Sequence, residues 1–242
     1  MHSNYMLEVQ QLLKKIELIE DESIEKSATV LAKSFAAGGI LHVFGCGHSH
    51  MIAEEVFYRA GGVVPVRPIL IEDVMLHKGA FRSSAFEKST SFAHTFLNEL
   101  DFQENDILLV VSTSGRNPVP IDVALYGKTK GLTVISISSH LYHNLSSRHQ
   151  SGEMLGETAD IAINNHIPQG DALISFSELN TSVGPGSTIA NTAIVNSIIV
   201  KTVEILTQQE FDVPIFKSGN LDGSEEHNER LVEKYRGRIG LF

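Results

Sequence analysis

The sequence predicts an α/β protein in which a parallel sheet is covered by helices on both faces. Short, continuous apolar runs recur along the chain, and such runs are typical of strands that are buried on both sides. Segments with apolar residues at helical spacing separate these runs. Since strands that alternate with helices form parallel sheets, the two patterns together indicate this class, and 42% hydrophobic residues supply a sizeable core.

The first half of the chain opens with two amphipathic helices. A stripe of leucine and isoleucine side chains between residues 7 and 19 predicts the first, and Asp21 is a plausible N-cap of the second, which the glycines at 38 and 39 end. The elements expected next are a strand at 40–44, a helix at 49–60, a strand at 63–66, a long irregular connection at 69–91 with some helical content, and a helix at 92–100.

The second half repeats the alternation. The elements expected there are a strand at 107–111, a helix at 119–130, a strand at 132–137, a polar loop at 138–157, a strand at 160–163, an edge strand at 172–175 and a long helix at 188–209. A tail at 212–242, richer in glycine and charge, predicts a loop and a short helix at 224–235. We see no linker and therefore expect one domain over 1–242, with a core at about 24–209 and a C-terminal extension.

Composition narrows the classes of function. Lys and Arg number 19 against 29 Asp and Glu, a net charge of −10, which argues against non-specific binding to nucleic acid or an anionic membrane. The single cysteine, Cys46, excludes an intramolecular disulfide framework and fits a reducing compartment. Residues 1–15 lack the apolar core of a signal peptide, and 188–206 is interrupted by polar residues, so we expect a soluble cytoplasmic protein.

The first loop of interest directly follows the first strand and reads Gly-Cys-Gly-His-Ser-His at 45–50. Glycines let a backbone approach an anion, and the helix that follows directs free N–H groups at it. The loop begins like a dinucleotide fingerprint, but His50 stands where the third glycine would be. A plain tight turn between strand and helix is the alternative interpretation.

The second loop follows the strand at 107–111 and reads Ser-Thr-Ser-Gly-Arg-Asn-Pro at 112–118. Consecutive hydroxyls after a buried strand are costly unless they bind a ligand or cap a helix. Asn117 as N-cap with Pro118 at the first helical position explains part of the motif, but it does not explain Ser112 and Ser114. These residues and the helix start form a phosphate nest, and the lysine of a P-loop is missing.

These motifs resemble the sugar isomerase (SIS) domain. The resemblance is carried by residues 110–117 and 131–137 and by the first loop at 45–49, and it extends over about 24–209. It implies a three-layer α/β/α fold with a five-stranded parallel sheet, binding of a phosphorylated sugar, and assembly into a homodimer or tetramer. Proteins of this family include isomerases, a lyase-type etherase, deaminases and sensors of sugar phosphates. The chain looks most similar to phosphoheptose isomerase-like proteins and to a SIS subgroup with a G-H-S-H loop and a D-G-x-x-E-H-N tail.

One family position departs from the phosphoheptose isomerase pattern. Those enzymes carry His and, four residues later, Glu on the helix after the first loop. An ungapped register from Gly45 and Gly47 puts Glu55 and Arg59 at these places. Glu54 or Glu55 could substitute for the missing glutamate as the base of an aldose–ketose isomerisation. Two solvated glutamates in a first helical turn are the alternative.

The expected function is that of a sugar-phosphate isomerase acting through an enediol. The alternatives are a sensor that binds a phosphosugar without chemistry, and an etherase of amino-sugar phosphates. The expected catalytic residues are Glu55, Glu54, His48, His50 and His227. The expected ligands of the phosphorylated sugar are Gly45, Gly47, Ser49, Ser112, Thr113, Ser114, Gly115, Asn117 and Ser187. His77 is expected to reach a site across a subunit interface. We expect no cofactor, and a metal on His48 and His50 would need a third ligand from elsewhere.

Overall fold

A computed structural model describes residues 4–242 and contains one sheet of five parallel strands. The strands are β1 (Leu41–Gly45), β2 (Val66–Ile69), β3 (Ile107–Val111), β4 (Thr133–Ser138) and β5 (Ile161–Asn164). Their order across the sheet is β2-β1-β3-β4-β5. The α/β class and the five parallel strands expected from the sequence are thus confirmed.

Helices cover both faces of this sheet. They are α1 (Tyr5–Ile19), α2 (Asp21–Ala36), α3 (Met51–Val56), α4 (Ala80–Glu87), α5 (Pro118–Thr129), α6 (Leu155–Thr158), α7 (Ser187–Gln208) and α8 (Ser224–Tyr235). One apolar cluster joins α1, α2, α3 and α7 to one face of the sheet. A second cluster joins α5 and the segment 92–97 to the other face, which completes the expected three layers.

The N-terminal helices pack against α7. A single residue, Glu20, joins α1 to α2. Its N–H donates to the Ile16 carbonyl, and its carbonyl accepts the N–H of Ile24, so the helical hydrogen bonds continue through the junction. Within residues 4–242, α7 is the one helix long and apolar enough to cross a membrane by length and composition alone. Its inner side, which includes Ile194 and Ile198, is buried in the apolar cluster, as expected for a core helix.

Two predictions near the first loop were wrong in extent. The second strand begins at Val66 and not at 63, because Val63 and Val64 pair instead with the C-terminal extension at Ile215 and Pro214. The helix expected at 49–60 is a 3-10 turn at 47–50 followed by the short α3. Extended backbone at 57 ends it, and Tyr58 has a positive φ of 44°, which no helix accommodates.

Two further elements differ from expectation. The helix expected at 92–100 is a pair of 3-10 turns at 93–95 and 97–99, and Phe92, Phe96 and Leu97 of this segment are buried in the second cluster. The edge strand expected at 172–175 reduces to one antiparallel bridge between Ile174 and Val183. In contrast, α8 has the limits that the sequence predicts.

The C-terminal extension is tied to the amino ends of the strands. Asp106, just before β3, accepts hydrogen bonds from the backbone of Ile40 and Gln103 and from the side chain of His42. Arg238 donates to both carboxylate oxygens of Asp106, at 2.9 and 2.8 Å. The extension therefore packs at the amino ends of the strands, whereas the two loops singled out above follow their carboxyl ends.

Candidate functional site

The two loops meet at the point where the strand order of the sheet reverses. β1 lies beside β3 with Gly45 opposite Val111, whereas β2 lies on the outer side of β1 and β4 on the outer side of β3. In open α/β sheets, ligands bind in the crevice beyond the carboxyl ends of the strands at such a reversal. The topology alone thus places 46–50 and 112–117 on either side of the expected binding crevice.

The first loop is a tight turn that needs its first glycine. A Cβ on Gly45 would lie 2.5 Å from the carbonyl carbon and oxygen of Ser49, so a larger residue does not fit without moving the backbone. Ser49 in turn donates its N–H to the Cys46 carbonyl at 2.9 Å, and Gly47 has a positive φ of 55°. His48 is exposed at the tip and Ser49 is half-buried.

The second loop is held by its neighbours on β4. The Ser112 N–H donates to the Ile137 carbonyl and the Thr113 carbonyl accepts from the Ser139 N–H. The Ser112 hydroxyl is buried and accepts the Gly115 N–H at 3.3 Å, so it shapes the turn. Thr113 and Ser114 are half-buried and stand at the carboxyl end of a central strand, as the sequence predicts.

Asn117 occupies the N-cap position of α5, with Pro118 next to it at the first helical position, but its side chain caps nothing. Instead its amide nitrogen donates to the Glu87 carboxylate at 2.8 Å, and its amide oxygen accepts from the Arg148 guanidinium at 2.8 Å. The expectation that the Asn117 side chain caps the helix is therefore wrong, because two stronger partners compete for the amide.

Glu87 is the residue at this crevice that sequence reasoning missed. It ends α4, inside the long connection at 69–91 that carried no clear periodicity. Burial raises the pKa of the Glu87 carboxyl, and the Asn117 hydrogen bond and the charges of Lys88 and Arg148 oppose that rise. Burial and, secondarily, the charge of Glu87 raise the pKa of the Cys46 thiol in the first loop, which disfavours a nucleophilic thiolate there.

The two glutamates of α3 have different surroundings. Glu55 forms an ion pair with Arg59, and the Asn196 amide of α7 lies 3.5 Å from the same carboxylate oxygen. Glu54 is exposed, with one oxygen 3.6 Å from His50 Nε2. His50 is buried and its Nδ1 contacts the Gly47 carbonyl within the first loop.

Three expected site residues have their contacts elsewhere. Ser187 begins α7, and its hydroxyl donates to Asp171 at 2.5 Å. The other oxygen of Asp171 accepts the N–H groups of Ser187 and Gly186, so this carboxylate caps the helix. His227 contacts the Ile215 carbonyl at 3.0 Å in the C-terminal extension, and His77 is exposed in a 3-10 turn.

The arrangement suits anion binding and proton transfer more directly than metal binding. Across residues 4–242, no group of three or more His, Cys, Asp or Glu side chains is close enough to hold a metal ion. The crevice instead combines hydroxyls and loop N–H groups with the half-buried carboxyl group of Glu87, whose pKa is raised.

A family model described as the SIS domain matches residues 4–139, more than half of the chain. The chain therefore belongs to the SIS domain family. It is similar along its whole length to proteins named UPF0309. It is 45% identical over 243 residues to the one from Halalkalibacterium halodurans, covering 100% of this chain and 97% of that protein. The UPF0309 protein of Listeria innocua is 43% identical, covering 100% of this chain and 98% of that protein.

Solved structures share the fold at low identity. A Bacteroides fragilis protein assigned as a phosphosugar isomerase involved in capsule formation superposes with a TM-score of 0.54 at 20% identity, covering 93% of this chain and 92% of that one. A phosphoheptose isomerase from Francisella tularensis has a TM-score of 0.53 at 16% identity, covering 83% of this chain and 95% of that one. At these identities the likeness establishes the fold.

Proposed function

We propose that the protein binds a phosphorylated sugar in the crevice between β1 and β3 and isomerises it by proton transfer. The observation that carries the proposal is that two loops rich in hydroxyl and N–H groups follow the neighbouring strands β1 and β3 at the reversal of strand order, where Asn117 of the second loop binds the half-buried carboxylate of Glu87. The names of the structural neighbours, among them a phosphoheptose isomerase, support the same class of substrate.

In this proposal the phosphate lies on the two loops. Its oxygens accept hydrogen bonds from the hydroxyls of Ser49, Thr113 and Ser114 and from N–H groups of the loops. The first turn of α5 contributes at most the N–H of Val119, because Pro118 and Pro120 have none. Such bonds are charge-assisted and about twice as strong as neutral ones. Gly45, Gly47 and Gly115 contribute by letting the backbone turn closely enough, and Ser112 holds the second turn in shape.

The proton transfer needs a carboxylate beside the sugar. Glu87 would take the proton from C2, which gives an enediol, and return it to C1 while the carbonyl moves to C2. A raised pKa suits this role because a general base works best when its pKa is near the operating pH. His48, exposed on the first loop, would assist ring opening.

Glu55, the base that the sequence favours, is the rival of Glu87. Its carboxylate is engaged by the ion pair with Arg59 and by the contact with Asn196 of α7. The alternative of a sensor without chemistry is favoured by the same Glu55–Arg59 ion pair, because Arg59 stands where phosphoheptose isomerases have their glutamate. An etherase would use the same proton abstraction, followed by loss of an oxygen substituent from the adjacent carbon.

The test begins with a thermal-shift screen of phosphorylated hexoses, heptoses and amino sugars. Each sugar that stabilises the protein is then incubated in D₂O, and exchange of the C2 proton is followed by NMR. We expect exchange with the wild type, and we expect Glu87→Gln to abolish it while the sugar still binds. Binding without exchange in the wild type would establish the sensor, and loss of exchange in Glu55→Gln but not in Glu87→Gln would transfer the role to Glu55.

We further propose a homo-oligomer in the cytoplasm. Several large apolar side chains stand exposed on the helices that cover one face of the sheet: Met6, Leu7, Leu18 and Ile19 on α1, and Val200 on α7. A face of this kind is a liability for a monomer and suits a symmetric interface between copies.

A further inference from the structure

A chain of two hydrogen bonds crosses the mouth of the crevice. It starts on the polar loop between β4 and α6, where Arg148 Nη1 donates to Asn117 Oδ1 at 2.8 Å. It continues from Asn117 Nδ2 to Glu87 Oε1, also at 2.8 Å. The loop, the start of α5 and the end of α4 are thereby joined through three side chains.

We propose that Arg148 is a positioning residue that fixes the Asn117 amide and, through it, the carboxylate of Glu87. The inference rests on the proposed function, in which Glu87 transfers the proton. It gives a function to the loop between β4 and α6, which contributes no residue to the proposed phosphate site or to the proton transfer itself.

The direction of the amide follows from the chemistry of its partners. A guanidinium has five N–H donors and no acceptor, so only the oxygen of Asn117 can face Arg148. The amide nitrogen must then face Glu87, where it donates to the carboxylate. Without Arg148 the Asn117 amide is free to rotate. The Glu87 carboxylate then no longer has an N–H donor that is held in one orientation.

The backbone around Arg148 is held in place on both sides. Its N–H donates to the Arg116 carbonyl at 2.8 Å, and the Arg116 side chain donates back to the Ser146 carbonyl. The next residue, His149, is buried and lies 3.0 Å from Asp122 on α5 through Nε2. Arg148 is therefore presented to Asn117 from an anchored segment, which is what a positioning role requires.

Three titratable or charged groups surround Glu87. The Cys46 thiol comes from the first loop, Lys88 follows Glu87 in the chain, and Arg148 faces it from the long loop. The thiol stays neutral, so the Asn117 hydrogen bond and two cationic charges oppose the effect of burial. The role of Arg148 should accordingly be visible in the titration of Glu87 even when no sugar is bound.

The experiment is a pH titration of the side-chain carboxyl carbons of ¹³C-glutamate-labelled, ligand-free protein, with Glu87→Gln assigning the resonance. Arg148→Met should raise the pKa of Glu87, and Arg148→Lys, which keeps a donor and a charge, should restore most of the wild-type value. Arg230→Met is the control, because it removes an exposed arginine of α8 that takes no part in this hydrogen-bond chain, and it should leave the titration unchanged.

A double variant separates positioning from direct attraction between charges. Asn117→Ala should itself raise the pKa of Glu87, and adding Arg148→Met should then shift it by less than Arg148→Met does alone, because only the direct attraction between the charges is left to lose. A full additional shift, or no shift in Arg148→Met alone, would overturn the proposal. If the titration behaves as expected but Glu87→Gln retains full C2 exchange, the hydrogen-bond chain stands and the assigned proton transfer fails.

Discussion

Asp106 offers a severe test of how the C-terminal extension stabilises the sheet. Its side chain is fully buried, and each oxygen accepts more than one hydrogen bond. Oδ1 accepts from the Ile40 N–H at 3.0 Å and from Arg238, whereas Oδ2 accepts from the Gln103 N–H at 2.8 Å, from His42 Nε2 and from Arg238. The perturbation is Asp106→Asn, which keeps the shape and replaces one oxygen by a donor.

The expected loss follows from the count of donors. Whichever way the amide turns, its NH₂ group faces one backbone N–H and the guanidinium of Arg238, so at least one buried donor has no acceptor. An unsatisfied buried N–H costs about 1–3 kcal/mol, and breaking one partner of a buried ion pair costs about 3–5 kcal/mol. Since Arg238 is 22% exposed and can regain some hydration, we expect the free energy of unfolding to fall by about 3 kcal/mol.

Urea denaturation followed by circular dichroism measures this change. Arg238→Met is the matched control, because it removes the guanidinium and leaves the bonds from Ile40, Gln103 and His42 in place. It should therefore destabilise the protein less than Asp106→Asn. If Asp106→Asn lowers the free energy of unfolding by less than about 1 kcal/mol, the hydrogen bonds to Asp106 do not stabilise the amino ends of the strands and the reasoning is wrong.

The remaining predictions concern the site, the effect of pH and assembly. Ser114→Ala should weaken binding of a confirmed phosphosugar by about 1–2 kcal/mol in calorimetry, because one bond to a charged group is lost; unchanged affinity would remove Ser114 from the site. Gly45→Ala should abolish sugar binding, since its Cβ would lie 2.5 Å from the Ser49 backbone, with circular dichroism checking that the fold persists. Burial lowers the pKa of His42, so on acidification the unfolded chain takes up a proton at this histidine at a higher pH than the folded protein does. The free energy of unfolding, measured in urea, should therefore fall as the pH falls below about 6.5. A His42→Gln variant should lose this dependence on pH. Light scattering at micromolar concentration should show a dimer or tetramer, which Val200→Glu should weaken, and a monomeric wild type would contradict the proposed interface.

The sequence predicts the sheet well because each central strand leaves an unambiguous pattern. The run at 107–111 is wholly apolar, and those at 40–44 and 132–137 are mostly apolar and are preceded by glycine. The structure has strands at all three places within a residue or two. The second strand is displaced because the choice between 63–66 and 66–69 depends on which segment pairs with Ile215, some 150 residues away in the sequence. Such a long-range partner leaves no trace in local periodicity.

In the candidate site, too, residues within a local motif could be recognised from the sequence, whereas residues brought in by contacts distant along the chain could not. Gly45 and the hydroxyls at 112–114 follow buried strands, so a local motif marks them as a phosphate nest. Glu87 has no motif of its own and reaches the crevice only because α4 packs beside the first loop. Asn117 reads as a helix cap from its neighbours in the chain, yet its actual partners lie 30 and 31 residues away. The loops proposed to hold the phosphate could thus be singled out from the sequence, and the carboxyl group proposed to transfer the proton could not.

Two carboxyl groups lie beyond opposite ends of the strands, the fully buried Asp106 and the half-buried Glu87, and their surroundings suit the first to stability and the second to the proposed chemistry. Burial alone would raise the pKa of both. At Asp106, burial is outweighed by the hydrogen bonds from His42, from the Gln103 and Ile40 backbone and from Arg238, so its pKa is lowered and the group stays ionised. At Glu87 the Asn117 amide and more distant charges do not outweigh burial, and the pKa is raised. Carboxyl groups whose environments push their pKa values apart take different roles. Acidification therefore protonates Glu87, and stops the proposed proton transfer, at a higher pH than the one at which it protonates Asp106 and releases the C-terminal extension.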